Sequence, residues 1–351
     1  MKGWMGKFRA IALLGLMSLV LSACGKENLT ALDPKGYGAD QSLYLIILST
    51  VIMLFVLAIV MIVYTIVLIR YRKKKGQEDY IPKQVEGNKT LETVWTIIPI
   101  ILLLIIAVPT ITATFDLADE SAASDSLNVE VTGNQYWWHF NYEGQEIQTS
   151  QDLYVPVGEK VYLNMMSSDV IHSFWVPSIS GKMDVNPENE NTMYIQAQEE
   201  GVYWGKCAEF CGPSHSLMDF KVIAVSQEEF DQWVEDMQNV NPEAEPESTV
   251  AQEGKSLFQE NNCMSCHAIG SSPAQIGPNL TNFGDRSTLA GVEDLSKENL
   301  VDWIMDPESL KPGNKMTGNY PEVSEDEAGK IAEYLMQLEP SEITPESAGT
   351  E

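Results

Sequence analysis

Two apolar runs, Leu43 to Ile69 and Val94 to Phe115, constrain this chain more than any other feature, and neither contains a charged residue. As helices, both are long enough to cross the ~30 Å hydrocarbon layer of a bilayer. Pro99 and Pro109 in the second run are tolerable in a membrane helix and imply a kink. Between the runs lie Arg70, Arg72, Lys73, Lys74, Lys75, Lys83 and Lys89. Positive charge stays on the cytoplasmic side, so this loop is expected inside and the rest of the chain outside. The pattern predicts a two-helix transmembrane hairpin that carries an extracytoplasmic C-terminal region.

Ahead of the hairpin, Lys2, Lys7 and Arg9 precede an apolar stretch and then Leu21-Ser22-Ala23-Cys24. This is the layout of a secretory signal. The residues around Cys24 resemble a bacterial lipobox, which makes 1–23 a lipoprotein signal peptide and Cys24 the lipidated residue. An ordinary signal peptide with an incidental cysteine is the alternative. A segment 24–116 then holds the N-terminal stretch and both spans. The formal net charge of -28 argues against nucleic acid, because a phosphate backbone needs a basic face. Contact with membrane lipid is therefore expected through the spans and not through a basic patch.

Beyond residue 116 the periodicity changes. Leu127 to Val131, Lys160 to Met165, Thr192 to Ala197 and Asp219 to Val225 read as short strands separated by turn signals, which suggests a sandwich or barrel. Gln227 to Val240 reads as a helix and closes a domain spanning 117–240. The acidic, proline-bearing stretch 241–249 reads as a linker. Glu253 to Asn261, Lys297 to Met305 and Ser324 to Leu338 have helical spacing within a small domain, 250–340. The polar tail 341–351 is expected to be disordered.

Two motifs carry chemistry. In Cys207-Ala-Glu-Phe-Cys211-Gly-Pro-Ser-His215-Ser-Leu-Met218, one loop offers two thiolates, an imidazole and a thioether. His172 could join from another strand. Such soft donors suit copper, and two bridging thiolates can join two copper ions. A disulfide between Cys207 and Cys211, or a zinc site, is the alternative. In Cys263-Met-Ser-Cys266-His267, two thiols and an adjacent imidazole form the attachment pattern of a c-type haem. The alternatives are a chance motif or a zinc knuckle.

The copper-loop motif, the upstream Asp169-Val-Ile-His172-Ser-Phe-Trp-Val-Pro177 and Leu91 to Pro99 together resemble subunit II of haem–copper cytochrome c oxidases over roughly residues 40 to 225. That resemblance implies a cupredoxin-like β-sandwich with a dinuclear CuA centre. It implies that Cys207 and Cys211 bridge the coppers, that His172 and His215 cap them, and that Met218 is a weak ligand. Glu209 would add its backbone carbonyl to copper and its carboxylate to a magnesium site shared with subunit I. Glu92 would lie at the entrance of a proton channel in subunit I; the plain alternative is an interfacial acid capping the helix. The tryptophan through which the family receives electrons aligns with Tyr136. This departure puts the usual docking of soluble cytochrome c in question and makes Trp137 the alternative route. His139 has no matching role and reads as a surface residue.

The haem motif, the preceding helix and Ile276-Gly-Pro-Asn-Leu280 resemble an all-α class I cytochrome c domain. The resemblance implies that Pro278 buttresses His267 and that a later methionine is the sixth ligand. Met316 is the candidate, although Thr317 stands where the family often has proline; Met305 reads as core. Together the resemblances point to subunit II of a caa3-type oxidase in a bacterial cell membrane, with its haem and copper domains on the outer side. The implied role is to pass electrons from a donor, such as a bc complex or a membrane cytochrome c, through haem c and CuA to subunit I. There oxygen is reduced to water with proton pumping; this chain has too few histidines for that chemistry. A reductase of nitrogen oxides that uses CuA, a tethered cytochrome shuttle and a copper-delivery protein are the rival readings.

Overall fold

The computed structural model describes residues 11, 13, 15, 28–72, 81, 86–271 and 276–348. Cys24 and its lipobox lie outside the described residues, as do Lys73, Lys74, Lys75 and Lys83.

The two apolar runs form helices α1 (Tyr37–Tyr71) and α2 (Lys89–Leu117). Only Gly38, Ala39 and Ala113 are buried along them. Long apolar helices that expose nearly every side chain suit a lipid solvent, where no face needs protein cover. Thr110, Thr112 and Thr114 return their hydroxyls to carbonyls four residues earlier, which hides their polarity within the helix. Asn88 caps α2 by accepting from the Leu91 amide at 3.1 Å, and Glu92 sits in its positively polarised first turn. The Tyr37 hydroxyl donates to Asp116 and joins the outer ends of the hairpin.

The β domain is a cupredoxin-like sandwich of two five-stranded sheets. One sheet contains β1 (Leu127–Asn134), β2 (Trp137–Tyr142), β3 (Ile147–Ser150), β5 (Val161–Ser167) and β8 (Asn191–Ile195), in the order β3-β2-β1-β5-β8. The other contains β4 (Asp152–Pro156), β6 (His172–Trp175), β7 (Lys182–Val185), β9 (Gly201–Cys207) and β10 (Asp219–Val225), in the order β4-β10-β9-β6-β7. Alternation along β2 turns Trp138, Phe140 and Tyr142 inward. Trp138 meets Phe174 and Phe220 of the facing sheet at centroid distances of 5.6 and 5.3 Å. Helix α3 (Gln227–Gln238) starts in a capping box of Ser226 and Glu229 and buries Phe230, Trp233 and Met237.

The C-terminal domain is helical. Helix α4 (Thr249–Glu260) packs on α7 (Glu325–Met336), with α5 (Lys297–Met305) and the one-turn α6 (Pro307–Leu310) beside them. Serines 248, 296 and 324 cap three of these helices. Phe258, Leu300, Ile304, Ile331 and Leu335 are among the residues that form the core. The expected linker folds back on this domain: the Ala244 carbonyl accepts from Lys255 Nζ at 2.9 Å.

Three expectations fail. The tail is not disordered through residue 348. Ser341 donates to Asp236 at 2.7 Å, Ile343 and Ala348 pack against the sandwich core, and Pro345–Ala348 forms the short helix α8. Its few apolar residues suffice because the sandwich supplies a ready surface. His139 is not a free surface residue but half-buried, on a strand that lies between β1 and β3 with Thr132 and Ser150 as its cross-strand partners. Its Nδ1 is enclosed without a hydrogen-bond partner among the described residues, and burial lowers its pKa. Met305 is 48% exposed, because α5 turns Leu300 and Ile304 into the core instead.

Candidate functional site

Strands β9 and β10 form an antiparallel hairpin, and residues 208–218 are its connection. Cys207 ends β9, and Met218 stands immediately before β10. Strand β6 pairs with β9 and brings His172 to the same end. The sequence-spaced donors therefore converge at one end of the interior strands β6, β9 and β10. The Cys207 and Cys211 sulfurs are 3.9 Å apart and both cysteines are free, against the ~2.05 Å of a disulfide. His172 Nδ1 lies 3.9 Å from Cys207 Sγ, and His215 Nδ1 lies 3.7 Å from Cys211 Sγ. Met218 Sδ is 3.9 Å from Cys211 Sγ, and the Glu209 carbonyl is 3.2 Å from Cys207 Sγ. The Glu209 side chain is exposed.

The electrostatics suit a cation. A hydrogen bond with Cys211 holds Cys207 far towards the thiolate, against the pull of burial; the same hydrogen bond, then burial and the Cys207 charge, raise Cys211 in turn. Binding a metal removes this conflict, because both sulfurs can then be thiolates. Asp169 Oδ1 lies 2.8 Å from His172 Nε2 and so directs Nδ1 towards the sulfurs. Burial works against charge on both Asp169 and His172. For Asp169, the hydrogen bonds from His172, Lys315 and the backbone of Gln135 and Val170 outweigh it and hold the carboxyl well below the usual carboxylate range. For His172, the bonds to Asp169 and Cys207 outweigh burial and raise its pKa.

In the helical domain, Cys263, Cys266, His267 and Met316 line one largely apolar cavity. His267 Nδ1 is 2.9 Å from the Pro278 carbonyl, so the contact that orients the ring comes from that carbonyl. Burial lowers the His267 pKa, and Arg286 adds to the effect, which favours the neutral imidazole that an iron ligand must be. A Cβ on Gly277 would lie 2.9 Å from His267 Cε1, so a side chain here would push on the imidazole ring. The donors and the apolar walls fit a haem.

The two centres are neighbours. Gln135, Tyr136, Trp137 and Gln151 of the β domain line the same cavity as His267 and Met316. Gly212, at φ +138°, leaves space for the Tyr136 hydroxyl beside Cys211. Buried polar contacts extend the junction: the Asn279 amide donates to Ser150 Oγ at 3.1 Å, and Lys221 Nζ donates to Ser287. The sequence missed these contacts, because Ser150, Lys221 and Ser287 belong to no motif. Glu92 is exposed at the far end of α2, away from both centres.

Comparison with known proteins agrees with this architecture. Residues 40–113 match the cytochrome c oxidase subunit II transmembrane domain, 143–225 its periplasmic domain, and 251–339 cytochrome c. Cytochrome c oxidase subunit 2 of Alkalihalophilus pseudofirmus is 48% identical over 343 residues, covering 96% of this chain and 99% of that protein. Cytochrome c oxidase subunit 2 of Bacillus subtilis is 47% identical, covering 94% and 98%. Quinol oxidase subunit 2 of Bacillus spizizenii is 35% identical over 67% of this chain and 75% of its own length. The matched domains imply copper at the sulfur–imidazole cluster and haem in the helical cavity, within a component of an oxidoreductase complex at a membrane. The chain belongs to the cytochrome c oxidase subunit II family, with a cytochrome c domain fused at its C-terminal side.

Proposed function

We propose that this chain receives electrons in a caa3-type oxidase and passes them from haem c to a dinuclear CuA centre and on to subunit I, which reduces oxygen and pumps protons. The convergence of Cys207, Cys211, His172, His215, Met218 and the Glu209 carbonyl on one hairpin end carries this reading. When bound there, a copper pair shares one electron over two ions. The protein holds the site on strand ends and fixes the His172 ring through Asp169, so the donors move little as charge changes. Cys263 and Cys266 would attach a haem, and His267 and Met316 would hold its iron, a donor pair that would supply a potential in a carrier's range. Tyr136 or, as the alternative route, Trp137 carries the electron; both line the cavity of the helical domain.

The exposed Glu209 carboxylate would be a ligand for a magnesium ion shared with subunit I, and Glu92 would serve at the proton-channel entrance. Lipidated Cys24 and the two spans anchor the chain in the bacterial cell membrane, with both centres outside. The donor is a bc complex or a membrane cytochrome c.

Electron paramagnetic resonance of the copper- and haem-loaded protein tests the assignment. A hyperfine pattern spread over two copper nuclei is expected; a single-copper pattern sinks the dinuclear reading. Cys207→Ser should abolish that pattern and leave the haem c spectrum intact, and its survival would refute bridging by Cys207. Met218→Leu should keep copper bound, shift its potential and slow electron transfer. Unchanged kinetics in that variant remove Met218 from the ligand set.

A further inference from the structure

The loop that carries Met316 rests on the loop that carries the copper donors. Ser214 Oγ, adjacent to His215, donates to the Pro312 carbonyl at 2.6 Å. Lys315, adjacent to Met316, crosses the domain boundary and places Nζ 2.8 Å from Asp169 Oδ2. The other oxygen of the same carboxylate, Oδ1, is the one that faces His172 Nε2 at 2.8 Å. The Gln135 amide also donates to Oδ2 at 2.9 Å, while Gln135 Nε2 donates to the Cys211 carbonyl at 2.6 Å. A continuous polar chain therefore runs from the residue beside the haem-ligand candidate to a copper-ligand candidate. Asp169 is only 15% exposed at its side chain and Lys315 is 46% exposed, so the bridge sits at the rim of the junction.

We propose that Lys315 is a positioning residue for electron transfer between the two centres, acting through Asp169. The proposal rests on the haem and copper assignments above. Two effects follow from one bridge. Lys315 fixes the distance between the Met316 segment and the His172 segment. Its charge also draws electron density from Asp169, which makes that carboxylate a weaker acceptor towards His172. A carboxylate behind a ligand histidine raises the basicity of the ligand, so Lys315 moderates it. Without Lys315, Asp169 pulls harder on the His172 proton, and the more basic ring favours oxidised copper. The copper potential should fall and transfer from haem c should slow. Lys315 itself is well exposed to solvent at the rim, so folding should survive its loss.

The test uses the assembled oxidase with Lys315→Met and Lys315→Arg. The copper potential is read by spectroscopic redox titration, and the haem-to-copper rate by single-turnover photoreduction. Lys315→Met should lower the potential and slow transfer severalfold. Lys315→Arg should restore both, since a guanidinium can reach the same carboxylate with the same charge. A merely structural contact would move neither the potential nor its rescue. Wild-type potential and rate in Lys315→Met would overturn the proposal alone. Absence of a two-copper signal in the unmodified protein would overturn the functional reading, and the proposal with it.

Discussion

Asp285 shows how one residue reports on the state of the helical domain. It is 3% exposed, and neither carboxylate oxygen has a hydrogen-bond partner among the described side chains. Burial pushes its pKa up to about 8; the Ser341 backbone and Arg286 oppose the shift, and nearby Glu339 and Asp236 add to it. The folded protein thus retains a proton that the unfolded chain has lost. The stability contributed by that proton is full below the ordinary carboxylate pKa and is lost as pH rises through about 8. Asp285→Asn should therefore flatten the decline in thermal stability over this window. At pH 9 the variant should be the more stable of the two, because its amide stays neutral where the buried aspartate is charged. Parallel pH profiles for the two proteins would show that Asp285 titrates normally. The candidate donor residues that the fold brings together were legible because such chemistry demands particular atoms at short spacing. Asp285 was not, since an isolated acid in a sequence carries no sign of what will cover it.

At the scale of elements, legibility followed the number of buried faces. Strands β1 and β5 bury alternate residues for most of their length, and their period of two is visible in the sequence. Strands β4 and β10 are buried at every position, so Asp152, Asp219 and Lys221 lose the exposure that their polarity suggests. The reason is the neighbouring domain and the returning tail, which cover the outer face of that sheet. The hairpin helices were plain because lipid asks only for apolarity and length. The tail was misread because its anchors are few, and Ile343 is the main apolar one. Ile343→Asp should detach it at a cost of about 1–3 kcal/mol. Faster hydrogen exchange over residues 341–348 and along β10 is the expected result. Unchanged exchange would mean that the tail packs without holding anything in place.

At the scale of the molecule, the sandwich and the helical domain pack closely against one another. A tethered carrier gains effective concentration from its linker alone. Here the linker is folded down, buried polar pairs cross the boundary, and the copper and Met316 loops touch. The sequence announced two centres on one chain, and their shared wall emerged only from the packing. One topological consequence remains. The chain leaves the sandwich after α3 and returns to it at Ser341, so the haem domain is an insert whose two ends are both moored to its host. A protease nick in the segment before α4 would open one end of that loop, yet the haem fragment would stay docked by its far mooring. Loss of the carrier requires two separate failures, which makes the junction tolerant of damage that would set an ordinary tethered domain adrift.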